Sequence, residues 1–119
     1  MKEAPVTKLG FLVIWEFRVR AGMEAQFEHV YGPTGDWAQL FSQNEAFIKT
    51  QLVRDSKKGR RYLTLDFWKS EEAYARFREK AAVEYQAIDE RCGQMTETER
   101  EIGRYVGVNT VDAEGTGYL

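Results

Sequence analysis

This 119-residue chain holds one cysteine, one histidine and two prolines, and each scarcity excludes a class of protein. A lone Cys92 forms no intramolecular disulfide and gives zinc or an iron–sulfur centre no thiolate cluster, so a cytoplasmic setting is expected. A lone His29 has no second imidazole with which to share a metal ion, and it falls off the Met23, Phe27, Val30 stripe, which places it in solvent. No apolar run approaches the roughly 18 residues of a membrane span, and the opening MKEAPVTKLG lacks the hydrophobic stretch of a secretory leader. Charge of one sign is also lacking. Seventeen Lys and Arg stand against 19 Asp and Glu, a net charge of −2, which is no surface for a nucleic-acid duplex. The single basic cluster, Lys57 to Arg61 around Gly59, has no aromatic residue interleaved for base stacking, so it reads as an exposed turn. Glycine-rich phosphate loops, dinucleotide fingerprints and nucleophile elbows are missing. The expectation is therefore no metal, no bound cofactor, no nucleic acid and no membrane among the partners.

What is present is 43% hydrophobic content, with 13% aromatic. That is enough for one domain over residues 1–119 to close a single core, and too little chain for a second domain. Phe11 to Val19, FLVIWEFRV, is β-branched and aromatic and stops at Arg20-Ala21-Gly22, which predicts a strand. Met23, Phe27, Val30 and Tyr31 follow at helical spacing until Gly32-Pro33-Thr34-Gly35 interrupts them. Asp36 with Gln39 three residues on reads as a capping box for a second helical piece carrying Trp37, Leu40 and Phe41. Phe47 to Arg54 and Arg60 to Trp68 then predict a hairpin around Asp55 to Gly59. With Asp55 opposite Arg60, one face gathers Leu52 with Leu63, Thr50 with Leu65 and Ile48 with Phe67. The other face pairs Val53 with Tyr62, Gln51 with Thr64, Phe47 with Trp68, and Lys49 with Asp66 as an ion pair. Ser70 stands at a helix N-cap with Glu71 and Glu72 in the first turn. Tyr74, Phe77, Ala81, Tyr85 and Ile88 extend that helix to Cys92-Gly93. Thr98 to Val108 predicts the last strand, and residues 109–119 form a polar tail, either mobile or laid on a partner.

The order β-α-β-β-α-β is that of an α+β, ferredoxin-like domain: an antiparallel sheet with helices on one side. If the Leu63, Leu65, Phe67 face meets the helices, the bare face carries Phe47, Val53, Tyr62 and Trp68. That is too much apolar area for water, so a homodimer is expected. Its two sheets would pack face to face as a dimeric α/β barrel, with a closed cavity between sheet and partner.

From WEFRVRAGMEAQFEHVY (Trp15 to Tyr31), through AFIKTQLVRDSKKGRRYLTLDFWKSEEAYARF, to the closing GRYVGV, the chain resembles the antibiotic biosynthesis monooxygenase domain family of the dimeric α/β-barrel superfamily. The resemblance covers about residues 9–108. Its most characteristic block is Phe67 to Tyr74, where a strand ends in Trp and is followed by a charged residue, Ser and an acidic helix start. The superfamily shares a scaffold across quinone-forming oxygenases, haem degraders, lactone isomerases and proteins without known activity. Its haem degraders use a histidine in the helix after the third strand, and Glu71 to Cys92 contains none. The oxygenase branch implies cofactor-free chemistry in which an electron-rich phenol or anthrone is deprotonated and its carbanion meets dioxygen.

Such a site requires a base, hydrogen-bond donors for the oxyanion and apolar walls. Asp66 is the first base candidate, with Tyr62 as a donor beside it. Trp68, Phe47, Gln51 and Thr64 would line the substrate site from the same face. On the first strand Trp15, Phe17 and Val19 are expected toward the helices, leaving Ile14, Glu16 and Arg18 on the cavity face, with Glu16 as the second base candidate. Tyr105, between Gly103 and Gly107, is the cavity residue of the last strand, while parity puts Arg104 with Ile102, Val106 and Val108 on the helix side. The competing readings are plain ion pairs: Asp66 with Lys49, and Glu16 with Arg18 or Arg104. The functional expectation is a homodimeric monooxygenase for a planar aromatic or quinol, acting in a cavity between helices and sheet. The alternative is a non-catalytic ligand-binding or interaction module on the same scaffold.

Overall fold

The computed structural model describes residues 10–109. Along the chain lie β1 (Phe11–Val19), α1 (Glu24–Val30), α2 (Asp36–Phe41), β2 (Phe47–Arg54), β3 (Arg61–Trp68), α3 (Glu71–Lys80), α4 (Ala82–Cys92), a 3-10 turn (Gly93–Met95) and β4 (Thr96–Val106). The strands make one antiparallel sheet in the order β2-β3-β1-β4, the α+β ferredoxin-like arrangement. Residues 110–119, and with them the expected tail, lie outside the described residues, as does the N-terminal segment before Gly10.

Local chemistry sets the joints. β1 ends where Gly22 turns the chain at φ 88°, a left-handed conformation that glycine adopts without a steric penalty. α3 begins at Ser70, whose Oγ accepts a 3.1 Å hydrogen bond from the Ala73 amide. The expected capping box at Asp36 is absent. Gly35 is the N-cap of α2, Asp36 pairs with Arg91 at 2.8 Å, and Gln39 donates to the Thr34 carbonyl. The helix expected to run unbroken to Cys92 is divided at Ala81, whose φ of −101° and ψ of 18° end α3 and start α4 at an angle.

The hairpin corrects the expected faces. Phe47 does oppose Trp68, but Ile48 bulges out, so Lys49 opposes Phe67, Thr50 opposes Asp66, Leu52 opposes Thr64 and Arg54 opposes Tyr62. One extra residue moves every following β2 side chain to the other face. On the neighbouring side Phe11, Val13, Trp15 and Phe17 of β1 oppose Trp68, Asp66, Thr64 and Tyr62. These sets form the face under the helices, so Tyr62 and Trp68 belong to the intrachain core rather than to a bare surface. Trp68 is wholly buried and meets Phe41, Phe47, Tyr74 and Phe77 at ring-centroid distances of 5.3, 5.3, 5.2 and 4.8 Å. Both parities of β3 carry large apolar side chains, and the one with Tyr62 and Trp68 fills the deeper space against α1, α2 and α3.

The open face therefore holds Leu12, Ile14, Gln51, Val53, Leu63, Leu65 and Tyr105. Phe67 lies on it too, covered by Lys49, whose Nζ stands 5.0 Å above the ring. In β4, Ile102 is a bulge residue between the Ile14–Gly103 and Trp15–Glu101 pairs. Arg104 stays on the helix side as parity requires, with its guanidinium 5.5 Å from the Tyr74 ring centroid. Val106, at the end of this edge strand, and Val108, beyond it, both expected in the core, are exposed.

Candidate active site

Between the helix-side face of the sheet and α1, α2 and α4 lies a narrow cleft, about 410 Å³ when the open solvent at its mouth is included. Trp15, Phe17, Tyr31, Trp37, Phe41 and Tyr85 are its aromatic walls; Thr50, Thr64 and Asp66 come from the sheet, and Asp89 and Glu99 from α4 and β4. Its interior is tight, so a ring system enters only as side chains yield. Tyr85 is half-buried at this wall, edge-on to Trp37 at 4.8 Å, with the Arg78 guanidinium 4.0 Å over its ring.

Asp66 is the chemical centre of this cleft. It is 8% exposed, and its expected partner Lys49 is on the opposite face. Instead Oδ1 accepts a 2.5 Å hydrogen bond from the Thr50 hydroxyl across the strand pair. Burial raises its pKa to about 7, and the Thr50 hydrogen bond only partly opposes this. Burial raises the pKa of Tyr74 and Tyr85, and the charge of this carboxylate adds to the rise, which places both phenols within its electrostatic reach.

The other sequence candidates are divided by the sheet. Thr64 lines the cleft beside Asp66. Tyr62, Trp68 and Phe47 share its layer without lining it. The Tyr62 hydroxyl donates a 2.5 Å hydrogen bond to Glu28 Oε2, and burial followed by that carboxylate raises its pKa. Glu16 is on the open face, bound by Arg61 at 2.6 Å and Arg100 at 2.9 Å. Those two arginines, Arg100 foremost, hold its pKa below the usual carboxylate value. Its partners are therefore neither Arg18 nor Arg104; Arg104 pairs with Glu101 at 3.0 Å. Gln51 and Tyr105 also point to the open face. The Tyr105 ring lies over Gly103, where a Cβ would stand 2.6 Å from its hydroxyl oxygen.

Sequence reasoning missed Tyr31, Trp37, Tyr85 and Thr50. The available signal was a pair of polar-tipped aromatics bracketing the Gly32 to Gly35 break, which helical periodicity counts simply as core. Their tips are unusual. Tyr31 Oη and Trp37 Nε1 are buried beside one another and the Cys92 thiol, in polar contact with these groups only, and Trp68 Nε1 is buried with no hydrogen-bond partner among the described residues. His29 is exposed, as its spacing predicts, and Cys92 is a buried free thiol. Among the described residues no group of three or more His, Cys, Asp or Glu is placed to hold a metal ion, and no helix is long and apolar enough to cross a membrane.

A sequence model of the antibiotic biosynthesis monooxygenase family matches residues 10–88. Among solved structures the chain is similar to SnoaB, a cofactor-independent oxygenase from Streptomyces nogalater, at 21% identity and a TM-score of 0.69, covering 88% of this chain and 98% of that one. It is also similar to a Deinococcus radiodurans protein named for the same family, at 11% identity and a TM-score of 0.67, with 86% and 96% covered. A third is a conserved protein from Methanosarcina mazei, at 13% identity and a TM-score of 0.63, with 83% and 93% covered. At these identities the likeness speaks for the fold. No curated protein matches the chain.

Proposed function

The chain belongs to the antibiotic biosynthesis monooxygenase family, and from that premise we propose that it oxygenates a planar aromatic or quinol-type molecule with dioxygen, using Asp66 as general base. The observation that carries this reading is a carboxylate buried in an aromatic cleft, poised near neutrality, with burial as the main influence on it and the Thr50 hydroxyl as its hydrogen-bond partner among the described residues. A base is most effective when its pKa lies close to the working pH, because it is then both available and strong enough.

For an anthrone-like substrate the step balances as follows. Asp66 removes a proton from the ring methylene, and the electrons left on carbon reduce dioxygen as a carbon–oxygen bond forms. The proton returns to the peroxide, and loss of water leaves a carbonyl. One oxygen atom enters the product and the other leaves as water. Thr50 holds the Asp66 carboxyl in place, Thr64 offers a second hydroxyl, and the aromatic walls keep bulk water from the carbanion.

The test is oxygen consumption with a panel of anthrones and hydroquinones. Asp66→Asn should abolish turnover, and Glu16→Gln, on the far side of the sheet, should have the smaller effect. No turnover by the wild type, or full activity in Asp66→Asn, overturns the proposal in favour of a binding module on the same scaffold. We also propose a homodimer, formed through the open face of Leu12, Ile14, Leu63, Leu65 and Val53 rather than through Tyr62 and Trp68. A sheet with one uncovered apolar face gains most by pairing with its own copy.

A further inference from the structure

One corner of the open sheet face carries more positive charge than its carboxylates answer. Arg18 stands directly across the strand pair from Arg61, and Glu16, two residues back on β1, opposes Arg100 of β4. Alternation along the strand puts residues 16 and 18 on one face. The ion pairs of Glu16 with Arg61 at 2.6 Å and with Arg100 at 2.9 Å bring both of those guanidiniums to the same face. Like charges directly opposite one another destabilise a sheet, because their Cβ atoms are only about 5 Å apart. Three arginines therefore share the corner. Glu16 answers two of them, and Asp55 in the hairpin turn answers Arg61 a second time at 3.0 Å. Both carboxylates are thereby held ionised, Glu16 by Arg100 foremost and Asp55 first by the Lys57 and Lys58 amides, and neither is left over for Arg18. Its side chain is exposed and has no ion pair among the described residues, and its neighbour on β4 is Thr98, a hydroxyl rather than a carboxylate. Lys57 and Lys58 close this end of the sheet, where their backbone amides and not their ammonium groups bind Asp55 Oδ1. The corner is thus positive in a chain whose net charge is −2.

We infer that Arg18 and Arg100, with Arg61 and Thr98 beside them, form a binding site for a multivalent oxyanion of the phosphate type. A guanidinium offers its N–H donors in a planar fork that matches two oxygens of one phosphate. The fork of Arg18 is unengaged, and Arg100 reaches Glu16 through Nε alone, which leaves its two terminal nitrogens free to donate. The two arginines are diagonal neighbours across β1 and β4, roughly 7–8 Å apart at their backbones, a span that one bridging phosphate fills. Arg61 adds charge, and the Thr98 hydroxyl adds a donor between the forks. This corner lies across the sheet from Asp66 and its cleft, so it goes beyond the oxygenase reading and does not depend on it.

Pyrophosphate is the probe, titrated by calorimetry into the full chain in chloride buffers of matched ionic strength, which holds general screening constant. The wild type should bind it saturably. Arg18→Gln should weaken that binding about tenfold or more, the worth of one charge-assisted hydrogen bond, and Arg18→Lys, which keeps the charge without the fork, should fall between the two. Turnover of any substrate in the cleft should be the same in all three. Uridine diphosphate in a second arm separates a free anion from the phosphoryl end of a larger molecule: tighter binding than pyrophosphate identifies the larger molecule, and equal or weaker binding identifies the free anion. No saturable binding by the wild type, or undiminished binding by Arg18→Gln, overturns the site and leaves the oxygenase reading as it stands. If the wild type binds no pyrophosphate and sedimentation shows a weaker dimer in Arg18→Gln, the charge that answers Arg18 comes from a second copy of the chain instead.

Discussion

At Asp66 two influences compete, burial against the Thr50 hydrogen bond, and burial wins, placing the pKa at about 7. If this carboxylate is the base, the rate should climb with pH and level off above about 7; one unit below, only about a tenth is ionised, so a roughly tenfold lower rate at pH 6 is expected in a pH–rate profile. The same shift bears on stability. The folded pKa lies above the unfolded value of roughly 3.9, so the protonated form is favoured by folding. Its contribution is full below about pH 4 and is lost as pH rises through about 7, at most about 4 kcal/mol in all. Asp66→Asn cannot titrate, so chemical denaturation should show the variant gaining on the wild type as pH goes from 4 to 8; a constant difference would contradict the assignment. Trp68→Ala tests packing rather than chemistry. Its indole is wholly buried among four rings of its own chain, so a loss of about 3–5 kcal/mol in urea unfolding is expected.

At the level of elements, β1 and α3 were legible because local signals agreed: an aromatic and β-branched run bounded by Gly22, and a serine cap followed by two glutamates. Ser70→Ala should cost about 1 kcal/mol in denaturant unfolding, since it removes the acceptor for the Ala73 amide; a cost near zero would mean that water replaces the cap. The hairpin pairing was less legible. Its loop and partners are set by Asp55, which accepts from the Lys57 and Lys58 amides and pairs with Arg61 at 3.0 Å. The bulge at Ile48, however, has no glycine or proline to announce it. Nor does Ala81 mark the division between α3 and α4, because a single non-helical residue leaves the apolar period of Tyr74, Phe77, Tyr85 and Ile88 almost undisturbed.

For the whole molecule the open question is what covers the second face of the sheet. A charge set among Leu63, Leu65 and Ile14, as in Leu65→Arg, should shift sedimentation from dimer to monomer while leaving the cleft's ligand affinity intact; an unchanged dimer would move the interface elsewhere, and a wild-type monomer at micromolar concentration would remove it. The Glu16 network with Arg61 and Arg100 sits on this face, which makes Glu16 a group of the sheet surface and leaves Asp66 as the proposed base. The sequence by itself determined the element order, the ferredoxin-like topology and Asp66 as a carboxylate on an apolar strand, because these follow from period, caps and composition. Only the tertiary structure decided which face of β3 the helices cover, that Lys49 lies across the sheet from Asp66, and that Tyr31, Trp37 and Tyr85 line one cleft with that carboxylate. The reason is that a strand apolar on both faces carries no mark of inside and outside. The choice falls to how well the larger rings fill the space under α1, α2 and α3, a property of shapes brought together from distant parts of the chain.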